Sequence, residues 1–231
     1  MEILNKVQKK VLGAFGSILD SEHFYLTGGT ALSYFYLKHR KSNDLDFFTT
    51  NEELITPFSY RLEKTLIKDK GMAVQRQRGM HSFVELLVNP VGGQFLNRKV
   101  EETTIIHLAQ EATFRFEKTR EFPEYPKLKV DSLLDIALNK LLALFGRAIL
   151  RDFIDVYFLV KRAKFNPEEL MDKAKIKDPG FDLYWLGVAL ERINTFKDDS
   201  PEMLLLLEPV DFKDLLSFFK QWREKIRGQL Y

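Results

Sequence analysis

"LTGGTALSYFYLKHRKSNDLDFF", residues Leu26 to Phe48, opens with a glycine turn after an apolar run and closes with two aspartates one residue apart. "HFYLT" reads as a short strand. Gly28 and Gly29 break it, and Thr30 is placed to cap a helix through "ALSYFYLK". "HRKSND" is a polar loop, and "LDFF" resumes as a strand. Asp44 and Asp46, two apart on that strand, share one face of a sheet. Like charges so close resist joint ionisation unless a cation neutralises them, and an oxygen-only pair suits Mg²⁺, which completes its shell with water and phosphates. The glycines let the backbone approach a ligand closely, while the helix start offers free N–H groups and a positive dipole end to a phosphate. Taken singly, the acid pair also fits a solvated strand end, and the glycine turn an ordinary strand-to-helix connection. Their combination says more. A helix of about nine residues, about 14 Å long, brings the second strand back beside the first and gathers both features at one sheet edge.

Working outward, Ile3, Leu4, Val7, Val11, Leu12, Phe15 and Ile18 recur at helical spacing, so residues 3–19 read as an amphipathic helix. Asn51 can cap a helix running to about Asp69. "MAVQRQR" and "HSFVELLV" then flank a turn at Gly79 and read as a hairpin. "NPVGGQF" has turn chemistry, "TTIIHL" and "TFRFEK" lean toward strand, and the proline-bearing "EFPEYPKLKV" reads as a connection. From Ser132 the pattern is helical: "SLLD" is a capping box, "ILRDFIDVYFLVKRA" is a nearly all-apolar helix, "NPEEL" and "SPEML" are proline-marked helix starts, and "FKDLLSFFKQWREKI" is amphipathic. The expected organisation is α+β, with residues 1–128 as a mixed sheet with flanking helices and residues 129–231 as a helical bundle.

The 231 residues are 45% hydrophobic, 13% aromatic and 29% charged, an ordinary globular composition. Cysteine is absent, which excludes disulfides, thiolate catalysis and cysteine-ligated zinc or iron–sulfur centres. No run is long enough to span a membrane and the N-terminus lacks a signal-peptide core, so a cytoplasmic protein without a membrane partner is expected. A net charge of +2 is too small to announce a nucleic-acid binder.

The order strand, Gly-Gly-Thr, helix, Asp-x-Asp strand resembles the nucleotidyltransferase superfamily typified by DNA polymerase β. A closer resemblance spans most of the chain. "GGTALS", "HRKSNDLDFF", the helical lysine of "DIALNKLLALFG" and "RDFIDVYFLV" occur in the order found in the AbiEii/AbiGii toxin family of nucleotidyltransferases. That resemblance implies a polymerase β-like sheet domain and a helical domain that closes a nucleotide cleft. It assigns Gly28, Gly29 and Thr30 to the triphosphate and Asp44 and Asp46 to Mg²⁺. Ser42 and Arg40 would assist a phosphate, and His39 would brace the loop by hydrogen bonding.

Glu85, an acid inside an otherwise buried strand, is the candidate third carboxylate, able to help the metals or accept the proton of an attacking hydroxyl. It reads equally well as an ion-pair partner of Arg76 or Arg78 across the hairpin. Lys140 interrupts an apolar helix, where an ammonium is costly unless it snorkels or meets an anion. The resemblance sends it to the nucleotide phosphates. Lys140, Arg147 and Arg151 would share a helical face if the helix tolerates Gly146. The resemblance makes Asp152 the functional acid, orienting Lys140 or an arginine, with Asp155 a structural partner that could pair with Arg151 at i,i+4.

The expected reaction is Mg²⁺-dependent transfer of a nucleoside monophosphate from a nucleoside triphosphate to an acceptor. The resemblance makes tRNA a candidate acceptor and a cognate antitoxin a candidate partner. Basic clusters at Arg76 to Arg78, Arg98 and Lys99, and Lys161 to Lys164 could contact an RNA backbone or could serve solubility alone. Two rival readings stand beside this one: modification of a small hydroxylated molecule, and nucleotide binding without turnover.

Overall fold

The computed structural model describes residues 2–90, 103–111 and 114–230. The chain forms two compact units: one of residues 1–36, 41–112 and 117–132, the other of residues 37–40, 113–116 and 133–231.

The first unit opens with helix α1 (Lys6–Phe15). It is shorter than its apolar period suggests: it ends at a Gly16 cap, and it starts only at Lys6 because Asn5 and Gln8 cap it reciprocally. The Asn5 side chain accepts from the Gln8 N–H at 2.8 Å, and the Gln8 side chain accepts from the Asn5 N–H at 3.0 Å. Strand β1 (Tyr25–Thr27) leads into α2 (Gly28–Ala31), which continues as a π-helical stretch over Leu32–Leu37. The helix starts at Gly28 itself with Thr27 in the cap position, so Thr30 lies inside the first turn. Strand β2 (Asp44–Thr49) follows, then a 3₁₀ turn at Glu52–Leu54 and helix α3 (Ile55–Lys68). Strands β3 (Met72–Gly79) and β4 (Phe83–Pro90) make the expected hairpin, and "TTIIHL" lies in β5 (Thr104–Gln110).

"EFPEYPKLKV" is not a connection. It supplies strands β6 (Arg120–Phe122) and β7 (Tyr125–Val130), paired with each other, and β7 lies parallel to β1 through Leu26 and Val130. Pro126 falls outside the paired positions, which is how a strand bearing a proline joins the sheet. The described part of "TFRFEK" is irregular chain rather than strand. The order in the sheet is β3-β4-β5-β2-β1-β7-β6, with β2–β5 and β1–β7 parallel and the other pairs antiparallel.

The alternation of β2 fixes what each face does. Leu45 and Phe47 are fully buried, and Phe47 stacks on Phe15 of α1 with ring centroids 3.8 Å apart. Phe24 stacks on Phe58 of α3 at 4.3 Å in the same core. Asp44 and Asp46, at alternate positions, emerge half-buried on the other face. A register slip of one residue would send both carboxylates into the aromatic core, so burial of Leu45 and Phe47 also specifies where the acids stand.

The second unit is helical: α4 (Leu133–Arg147), α5 (Leu150–Lys161), α6 (Pro167–Lys177), α7 (Leu183–Glu191) and α8 (Phe212–Leu230). Asn166 caps α6 ahead of Pro167, as its sequence suggests, whereas "SPEML" forms only a 3₁₀ turn over Met203–Leu205. Phe153 and Phe219 meet edge to face at 4.9 Å, and Trp222 stacks on Phe219. Helix α4 passes through Gly146 and ends where Ala148 takes a positive φ of 45°.

Candidate active site

In the first unit the glycine turn and the acid pair converge. Gly28 has φ of +74°, and a Cβ built on it would fall upon the carboxylate of Asp46, 2.9 Å from its Cγ. Only glycine satisfies both the backbone angle and the space. Inside the same turn the Thr30 hydroxyl donates to the carbonyl oxygen of Asp44 at 2.5 Å, tying the helix start to the strand that carries both acids. Ser42 is also drawn in through its backbone: its carbonyl accepts from Gln8 Nε2 at 2.8 Å.

Sheet register adds a residue that sequence reasoning missed. Asp46 of β2 lies opposite His107 of β5, which lies opposite Glu85 of β4, so the three form a row across adjacent strands. His107 Nδ1 is 2.8 Å from Asp46 Oδ1, and Nε2 is 3.4 Å from Glu85 Oε2. Burial works against a charged imidazole here. The hydrogen bond to Asp46 and the charges of Asp46, Asp44 and Glu85 outweigh it and raise the His107 pKa. Glu85 faces Arg78 in the hairpin register, while Arg76 pairs with Glu63 at 2.8 Å and donates to the Ser59 hydroxyl. Its described ionic neighbour is the histidine.

In the second unit the sequence-predicted residues sort themselves around Asp155. This carboxylate is fully buried and receives Arg40 through Nε at 2.6 Å and Nη2 at 2.8 Å, Lys140 Nζ at 2.8 Å, and His39 Nε2 at 2.8 Å. Burial would raise its pKa, but the charges of Arg40 and Lys140, with hydrogen bonds from Arg40 and His39, hold it well below the usual carboxylate range. The His39 pKa is lowered, chiefly by burial and further by Arg40 and Lys140, so a neutral imidazole donates to the carboxylate. The His39 carbonyl accepts from the Leu207 N–H at 2.8 Å, which gives the bracing role a second bond.

Asp152, also fully buried, holds Arg147 through two bonds of 2.8 Å and does not reach Lys140. Arg151 is not among the described partners of Asp155. The break at Ala148 puts Arg151 on α5, so the expected cationic strip is split between two helices. Arg98 and Lys99 lie outside the described residues.

Among the described residues, Asp20, Glu22 and His23 bring one ligand atom each within 4.8 Å of one another. Arg61 already pairs with Asp20, and the other two are exposed.

The whole pattern matches the family model of the nucleotidyl transferase AbiEii toxin, type IV toxin–antitoxin system, over residues 10–229. The chain belongs to the AbiEii family of nucleotidyltransferase toxins. It is 28% identical over 229 residues to an uncharacterized protein of Aquifex aeolicus, covering 96% of each chain. Its fold resembles that of MenT4, a nucleotidyltransferase toxin from Mycobacterium tuberculosis. The TM-score is 0.64 at 19% identity, covering 95% of this chain and 80% of that one. JHP933 from Helicobacter pylori matches with a TM-score of 0.57 at 18% identity, covering 97% and 92%. The α+β expectation holds, and AbiEii membership makes the chain a nucleotidyltransferase. No described helix is long and apolar enough to cross a membrane.

Proposed function

We propose that this AbiEii member transfers a nucleoside monophosphate from a nucleoside triphosphate to a hydroxyl of RNA, with tRNA the first acceptor to test. The acceptor hydroxyl gives its proton to solvent as its oxygen attacks the α-phosphorus, the bond to the α,β-bridging oxygen breaks, and pyrophosphate leaves with the electron pair. The observation that carries the reading is the seating of Asp46 in the space a side chain at position 28 would fill. A phosphate-binding turn and an acid pair are thereby joined at one point.

The residues present fit a divalent cation. Asp44 and Asp46 offer hard oxygen donors on one strand face, and the missing side chain at Gly28 is what admits the Asp46 carboxylate to the turn. Asp44 and Asp46 would hold Mg²⁺, which when bound supplies charge neutralisation at the α-phosphoryl group and the leaving pyrophosphate. The Gly28–Gly29–Thr30 helix start would hold triphosphate oxygens through its N–H groups. On the helical unit Asp155 holds the Lys140 ammonium, the cation that the family resemblance would assign to phosphate, and Asp152 holds Arg147. The two buried bonds from Arg40 to Asp155 favour a supporting role for that arginine over direct phosphate contact.

Cations that could serve an RNA backbone are exposed within each unit by itself: Arg78 in the first, and in the second Lys164 and Lys161, whose ammonium lies over the Phe218 ring at 5.3 Å. Purified protein is incubated with Mg²⁺, each labelled nucleoside triphosphate and total tRNA. Label should enter RNA with one preferred nucleotide, and RNA affinity should fall with added salt. Label entering no RNA, with salt-independent binding, would contradict the RNA acceptor.

A further inference from the structure

We propose that His107 is a positioning residue for Asp46, and that Glu85 acts through His107 rather than as a third metal ligand. This rests on the reading that Asp44 and Asp46 hold the cation.

The argument starts from the sheet. Parallel pairing of β2 with β5 and antiparallel pairing of β5 with β4 put Asp46, His107 and Glu85 in one transverse row, with the imidazole between the two acids. Direct coordination of one ion by both carboxylates would have to bypass the ring that separates them. The ring instead uses both nitrogens: Nδ1 engages Asp46 Oδ1 at 2.8 Å, and Nε2 faces Glu85 Oε2 at 3.4 Å. Phe83 lies against the ring at a centroid distance of 5.6 Å and limits its rotation.

The consequence falls on the two oxygens of Asp46. Oδ1 is taken by the histidine, whereas Oδ2 sits in the space at Gly28. A carboxylate terminus rotates over a broad well when nothing holds it. Here one oxygen is anchored so that the other keeps a fixed place at the turn. Partners that orient a metal-binding carboxylate in this way typically affect metal affinity by about 10–100-fold.

Mn²⁺ binding, followed by electron paramagnetic resonance on the full chain without nucleotide, tests this independently of turnover. His107→Ala is expected to weaken Mn²⁺ binding by about 10–100-fold. His107→Asn, whose amide can donate from the place of Nδ1, is expected to recover most of the loss. Glu85→Ala should weaken binding less than His107→Ala, and the double variant should bind no worse than His107→Ala, because both changes break one chain. If the double variant loses a further factor of ten or more, Glu85 is a ligand in its own right and the proposal is overturned. Unchanged affinity in folded His107→Ala or in Glu85→Ala overturns it equally. Asp46→Asn separates the two levels. If it leaves Mn²⁺ binding intact, the cation site itself is misassigned and this inference falls with it. If it abolishes binding while the His107 variants do not alter it, only the positioning role fails.

Discussion

Gly28 shows what a single residue contributes. Its φ of +74° is one that a residue with a Cβ adopts at a cost of about 1–2 kcal/mol, and here the Cβ would also strike Asp46. Gly28→Ala is therefore expected to lose about 1–2 kcal/mol in urea unfolding, and to lose nucleotidyl transfer more severely than that change implies, because Asp46 must move. Near-normal transfer by the folded variant would contradict this placement. The acids were readable from sequence because Asp-x-Asp on a strand keeps its geometry wherever the strand lies. His107 was not. A lone histidine in "TTIIHL" carries no local signal, and its partners come from β2 and β4, 61 and 22 residues away in the chain, through a register that no local pattern states.

Among the elements, α4 and α5 show a different limit of sequence reading. Two aspartates three apart on α5 both lie fully buried, and helical spacing alone does not say which of them meets Lys140. The packing decides: Asp155 takes Lys140, Arg40 and His39, and Asp152 takes Arg147. The hairpin of β6 and β7 was hidden for the opposite reason, since its prolines mimic a linker and lie at positions the ladder does not use. Asp155→Asn would leave Arg40 and Lys140 buried without their counter-charge. We expect a loss of about 3–5 kcal/mol at neutral pH. The folded-state pKa of Asp155 is depressed, so its stabilisation is fully present above the unfolded carboxylate value of about 3.9 and drains away as pH falls through the folded value. The gap between wild type and variant should thus be constant from pH 7 to about 5, and close only in stronger acid. Thermal unfolding across that range measures it.

For the whole molecule, the division into two units does not follow one cut in the chain. The helical unit includes residues 37–40 and 113–116, and the first of these segments brings His39 and Arg40 to Asp155. A fragment of residues 133–231 would retain Lys140 as the only described cationic partner of that buried carboxylate. It is expected to unfold without a cooperative thermal transition, as followed by circular dichroism, whereas the full chain unfolds cooperatively. A sharp transition in the fragment would show that the inserted segments are dispensable. The alternation of apolar and polar residues announced the sheet and the helices. How the chain weaves between units depends on long-range contacts, which sequence period does not encode.

The central claim, that the Gly28 turn and the Asp44–Asp46 pair form one nucleotidyl-transfer centre, is tested most directly by where the label goes. With the preferred nucleoside triphosphate and its acceptor, label in the α-phosphate should enter the acceptor and label in the γ-phosphate should leave as pyrophosphate. Both events should vanish in the Asp44→Ala, Asp46→Ala double variant while its fold is retained. Transfer of the γ-label, or α-label transfer that survives in the double variant, would contradict it.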